Sequence, residues 1–104
     1  MYALVVRERG QADQINTSGQ RVQANVLPRA RQAPGIVSGF WMTDMAGGTL
    51  NVMVFEGEDA ARSALEPVRT APRPPSMQVE SVDVYEVLAQ PIPPRSATHR
   101  RWHF

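Results

Sequence analysis

Residues 35–57, GIVSGFWMTDMAGGTLNVMVFEG, restrict the fold more than any other stretch of the chain. Two apolar runs, 36–43 and 49–55, flank a short loop holding Asp44 and Gly47-Gly48. Both runs are rich in β-branched and aromatic residues and are too short for ordinary helices. They read as a β-hairpin. Neither run alternates cleanly between apolar and polar residues, so both faces of the hairpin must be covered. The remaining segments have to supply those covers.

Residues 2–7 read as a first strand, with Leu4, Val5 and Val6 again placing apolar groups on both faces, and Gly10 as a stop. Residues 12–32 read as a helix, because Ile15, Val22, Val26 and Ala30 recur at helical spacing and Leu27 widens the stripe. Thr17-Ser18-Gly19 is its weak point, and Ser18 could be an N-cap from which a shorter helix starts. Pro28 lacks an N–H and predicts a kink or a bend near the helix end. A second helix is predicted over 58–68, with Glu58 and Asp59 at its positive end and Pro67 disturbing its last turn. Residues 70–76 hold Pro72, Pro74 and Pro75 and read as an extended link. A fourth strand follows over 77–89.

Strand, helix, strand, strand, helix, strand is the order of the ferredoxin-like α+β fold, βαββαβ. Right-handed crossovers put both helices on one face of a four-stranded antiparallel sheet. The second face is left apolar, with Phe40 behind Trp41 and with Val52 and Val54 behind Met53 and Phe55. An open face of that kind calls for a second copy, and two sheets face to face make a dimeric α/β barrel. The expected organisation is a ferredoxin-like domain over residues 1–89 and a proline-rich basic tail over 90–104.

Composition removes several chemistries. The chain of 104 residues has no cysteine, and all 11 of its Lys and Arg residues are arginine. Thiolate nucleophiles, disulfides and lysine Schiff bases are therefore excluded. No apolar run is long enough to span a bilayer, so no membrane is expected as a partner. The N-terminus lacks the pattern of a signal peptide, and the cytoplasm is the expected location. The tail ends in HRRWHF, where basic and aromatic residues alternate. Three arginines there are few for a nucleic-acid surface, which argues against such a partner. His99 and His103 stand four apart, yet nothing around them predicts the helix that would make them metal ligands, so no metal site is expected.

The segments LPRARQAPG, GIVSGFWM, the Gly-Gly turn, NVMVFEGEDAARSA and a strand ending VYEV together resemble the antibiotic biosynthesis monooxygenase-like family of dimeric α/β barrels. The resemblance runs over about residues 2–89 and rests on segment order and apolar pattern. It implies a homodimer with a pocket in each subunit between sheet and helices. It also implies a small aromatic ligand, and for some members oxidation of polycyclic aromatics by oxygen with neither metal nor flavin. No cofactor is expected. Haem-cleaving members use a histidine ligand, and both histidines here lie outside the family-like part. The monooxygenases of the family use pocket Asn, Trp, Tyr and Arg side chains. Residues of those types here are Asn51, Trp41, Tyr85 and Arg7.

Each candidate has a plainer reading. Trp41 can be packing or dimer interface. Asn51, of a type depleted within strands, can sit at a watered edge. Arg7 can be a solvated strand end or an ion pair with Glu8, Glu80 or Glu86, and Tyr85 a packed ring. Two functions from different classes follow. One is a homodimeric barrel that binds an apolar or aromatic molecule and oxygenates it without a cofactor. The other is a non-catalytic dimerisation or ligand-sensing module of the same fold.

Overall fold

A computed structural model describes residues 1–13 and 25–89 of the chain. Strand β1 (Tyr2–Arg9) leads to a short helix α1 (Leu27–Arg31), and the hairpin follows as β2 (Ile36–Thr43) and β3 (Gly48–Phe55). Helices α2 (Glu58–Ser63) and α3 (Leu65–Thr70) come next, and β4 (Gln78–Glu86) closes the sheet. The strands are antiparallel throughout in the order β2-β3-β1-β4. This is the expected ferredoxin-like α+β fold, with β1 and β3 at its centre.

The period of two along each strand sorts its residues between the faces. Leu4, Val6 and Glu8 of β1 stand in register with Met53, Asn51 and Thr49 of β3. Trp41 of β2 is opposite Asn51. This face carries the core, in which Leu4, Val6 and Phe55 are fully buried, with Met53, Val82 and Ala61 of α2 beside them. Transfer of each large side chain out of water contributes roughly 2 kcal/mol. Gly35 has φ +80°, and a Cβ there would come within 2.9 Å of the Ala60 Cβ. Only glycine lets the turn before β2 close down on α2 in that conformation.

The other face holds Phe40 and Met42 of β2, Val52 and Val54 of β3, Val5 and Arg7 of β1 and Tyr85 of β4. Phe40 is 57% exposed in the single chain, Tyr85 51% and Met42 44%. The second face is thus open and apolar over β2 and β3, while Arg7 of β1 and Ser81 and Asp83 of β4 make its other half partly polar.

Several boundaries differ from expectation. Strand β1 runs two residues beyond Arg7, to Arg9, and this puts Glu8 inside the sheet. Strand β4 stops at Glu86, although the Val87 N–H still donates to the Met1 carbonyl at 2.9 Å. The helix expected over 58–68 is two helices broken at Ala64. Pro67 supplies no N–H to the Ser63 carbonyl four residues back, and its ring crowds that carbonyl, so the break falls one turn before the proline. The helix expected over 12–32 is described at its first two residues, which are helical, and in its last part, where Pro28 stands in the first turn of α1. Its middle, with the Ser18 cap, lies outside the described residues, and so does the tail from residue 90.

Candidate functional site

The concave space between the helix-facing side of the sheet and the helices is a cavity of about 1040 Å³. Val6, Trp41, Met53 and Phe55 form its sheet wall, and Ala60, Ala64 and Val68 its helical wall. The segment from α1 to Pro34 and the link carrying Arg73 border it, and the space is open on one side. These walls are largely apolar because β1 and β3 send their core side chains to this face.

The floor is polar, and it is built around Glu8. This carboxylate sits on a central strand with only 6% of its side chain exposed. An ionised carboxylate accepts hydrogen bonds and donates none. Asn51 donates through Nδ2 to Glu8 Oε1 at 2.9 Å, and the Thr49 hydroxyl donates to the same oxygen at 3.1 Å. Arg73 Nε donates to Glu8 Oε2 and forms an ion pair with it. The Arg73 side chain is 13% exposed, and its Nη1 donates to the carbonyls of Arg69 at 3.2 Å and Ala71 at 3.0 Å. A buried charge must be paired and hydrogen-bonded to be tolerated, and Glu8 meets both conditions.

Two polar groups at this floor have no partner among the described residues. Arg73 has five N–H donors, and the bonds above use Nε and Nη1, leaving Nη2. Asn51 must turn its amide nitrogen to Glu8, because a carboxylate cannot donate, so its Oδ1 remains as an acceptor. A donor on Arg73 and an acceptor on Asn51 therefore belong to residues that line an otherwise largely apolar cavity. Such a set can orient one polar end of an otherwise apolar molecule.

Of the four residues singled out by type, two meet here. Trp41 and Asn51 are directly opposed across β2 and β3, and both line the cavity. Trp41 lies back over Gly39, where a Cβ would come within 2.9 Å of the indole Cζ3. Arg7 and Tyr85 stand on the opposite face. Arg7 borders a shallow recess at the turn end of the hairpin with Arg9, Asp44 and Glu80. The ion pairs expected for Arg7 fall elsewhere, since Glu8 pairs with Arg73 and Glu80 with Arg9 at 3.6 Å. Sequence reasoning missed Glu8 and Arg73. Glu8 had a signal, because it is in phase with Leu4 and Val6 on the buried side of β1. Arg73 had none beyond its place in a proline-rich link.

The loop between β2 and β3 is held by Asp44, whose Oδ1 accepts from the N–H groups of Ala46 at 2.7 Å and Gly48 at 2.9 Å. These backbone donors hold the Asp44 carboxyl below its ordinary value, with Arg9 adding to the effect. This is turn chemistry and contributes nothing to the cavity. Among the described residues, no group of three His, Cys, Asp or Glu side chains is placed to hold a metal ion, and no helix is long and apolar enough to cross a membrane.

Fold and cavity together define a ferredoxin-like α+β protein with a ligand-sized space between sheet and helices. A solved monooxygenase from the gene ActVA-Orf6 of Streptomyces coelicolor, in complex with the ligand Nanaomycin D, is similar to it with a TM-score of 0.56. The two share 16% identity, over 89% of this chain and 92% of that one. At that identity the likeness establishes the fold. No protein-family model matches the chain, and no curated protein matches it.

Proposed function

We propose that the protein is a homodimeric α/β barrel of the antibiotic biosynthesis monooxygenase type, and that each subunit binds an apolar or aromatic small molecule in the cavity between sheet and helices. The observation that carries this reading is the cavity of about 1040 Å³, with apolar walls and a floor on which Arg73 Nη2 and Asn51 Oδ1 have no partner among the described residues. The open second face, with Phe40, Met42 and Tyr85 exposed, supports the dimer. The likeness to a monooxygenase with a bound ligand supports oxygenation as the reaction to test. In that reaction a ring CH₂ of an anthrone-like substrate becomes a carbonyl. One oxygen atom of O₂ enters the ring and the other leaves as water. Asn51 and Trp41 are the side chains proposed to touch the substrate.

A second reading, ligand binding without turnover, is favoured by the state of Glu8. Its two oxygens are taken up by three donors, so it is not a free base. Melting curves with anthrone, together with oxygen uptake in the presence of a chelator, separate the readings. Turnover with a melting shift supports the monooxygenase, and a shift without turnover supports the binding module. Neither a shift nor turnover removes both.

A further inference from the structure

The Glu8–Arg73 pair places one full negative and one full positive charge on the cavity floor, held together by a direct hydrogen bond. Both are largely out of water, so neither is screened as a surface charge would be. The floor is nonetheless neutral in sum. The other ionisable residues on the lining among the described residues, Arg29 and Asp59, are exposed at the rim and belong to solvent. An entering anion would be attracted by Arg73 but repelled by Glu8 at the adjoining position, and it would lose its own hydration. A neutral molecule with a hydroxyl or carbonyl at one end loses little hydration and can still use Arg73 Nη2 and Asn51 Oδ1. The geometry points to Glu8 as a specificity-determining residue: by compensating Arg73 it makes the cavity select neutral, polar-ended aromatics over their anionic counterparts. Glu8 does this without being the group that contacts the ligand. It also turns the Asn51 amide so that its oxygen is left for the ligand. The inference rests on the reading of this cavity as a ligand site.

The test uses two probes with the same ring system, 2-naphthol, which is neutral near pH 7, and 2-naphthoate, which is ionised there. Their dissociation constants are measured by calorimetry on the full-length chain and on Glu8→Gln. The wild type is expected to bind naphthol more tightly by about tenfold, as the partial loss of a carboxylate's hydration over a charge-compensated floor allows. In Glu8→Gln, Arg73 loses its counter-charge and the preference reverses in favour of naphthoate. A residue with a merely structural role would weaken both probes alike and leave their ratio unchanged. Should Glu8→Gln fail to fold, the comparison moves to Arg73→Gln and the double variant Glu8→Gln/Arg73→Gln, whose floor is again neutral. Naphthoate should then bind more weakly to the single variant, relative to naphthol, than to the double. Equal probe ratios in all folded variants would overturn the role of Glu8 while leaving the ligand site standing. Absence of binding by either probe to any variant would overturn both.

Discussion

Asn51 and Glu8, 43 residues apart in the chain, meet on neighbouring central strands through a 2.9 Å hydrogen bond from the Asn51 amide to the Glu8 carboxylate. The bond ties an uncommon strand residue to a buried acid. It also leaves Oδ1 as the end of the Asn51 amide that is not bound to Glu8.

The buried ion pair makes a stability prediction. Removing one partner leaves the other charge uncompensated, at a cost of about 3–5 kcal/mol, whereas replacing both costs far less. Arg73→Met alone should therefore destabilise the protein more than Glu8→Gln/Arg73→Met. Urea unfolding of the two singles and the double, read as a cycle, gives the coupling. Additive effects would mean that the pair is not formed in solution.

Gly39 is predicted to govern the pose of Trp41. A methyl group at residue 39 would stand 2.9 Å from the indole, so Gly39→Ala must move the ring toward the cavity or push the strand. The expected cost is about 1–3 kcal/mol, as for overpacking elsewhere. A shift in tryptophan emission should accompany it, measured in a Trp102→Phe background so that residue 41 alone reports. Unchanged emission and stability would place the ring elsewhere.

How far the site could be read before its geometry was known differs from residue to residue. The hairpin and the sheet follow from local pattern, because alternation along a strand is a property of adjacent residues, whereas the opposition of Trp41 and Asn51 depends on strand register, which that alternation does not give. Glu8 escaped because β1 was expected to end at Arg7, and an acid between two arginines beside a glycine reads as a strand end. Arg73 escaped for a different reason. It reaches Glu8 across 65 residues of chain, and no local pattern encodes that contact. Arg7 and Tyr85 share the residue types of Arg and Tyr pocket side chains but stand on the other face, since position 7 is out of phase with Leu4 and Val6, and position 85 with Val82. The break at Ala64 was legible in kind, through Pro67, but not in place, because proline acts on a carbonyl four residues before it.

The second sheet face predicts association. Phe40→Arg and Met42→Glu put charge where a partner sheet is proposed to pack, and each should lower the apparent mass by light scattering from that of two chains to one. The same substitutions cost little in a lone subunit, because both side chains are already largely exposed. A wild-type protein that is monomeric at micromolar concentration would remove the dimer from the account.

Asp44 makes a pH prediction. Its folded-state pKa lies below its ordinary value of 3.8, chiefly through the backbone N–H groups of Ala46 and Gly48. A depressed carboxyl stabilises the fold above its unfolded pKa and loses that contribution as pH falls through the folded one. Asp44→Ala should therefore be less stable than the wild type at pH 7. The difference should persist down to the ordinary carboxylate range and shrink below it. Urea midpoints of both proteins across that range check the sign, and a difference that grows with acid would contradict it.

Ligand occupancy of the space beneath the helices is the claim most directly open to measurement. Two-dimensional NMR of the isotope-labelled full-length chain, titrated with 2-naphthol, reports on each face separately. The Asn51 side-chain amide and the Trp41 indole N–H are expected to shift with the ligand, while the side-chain Nε–H of Arg7, on the other face, stays in place. Shifts confined to the Phe40 and Tyr85 face, or none at saturating probe, would contradict it.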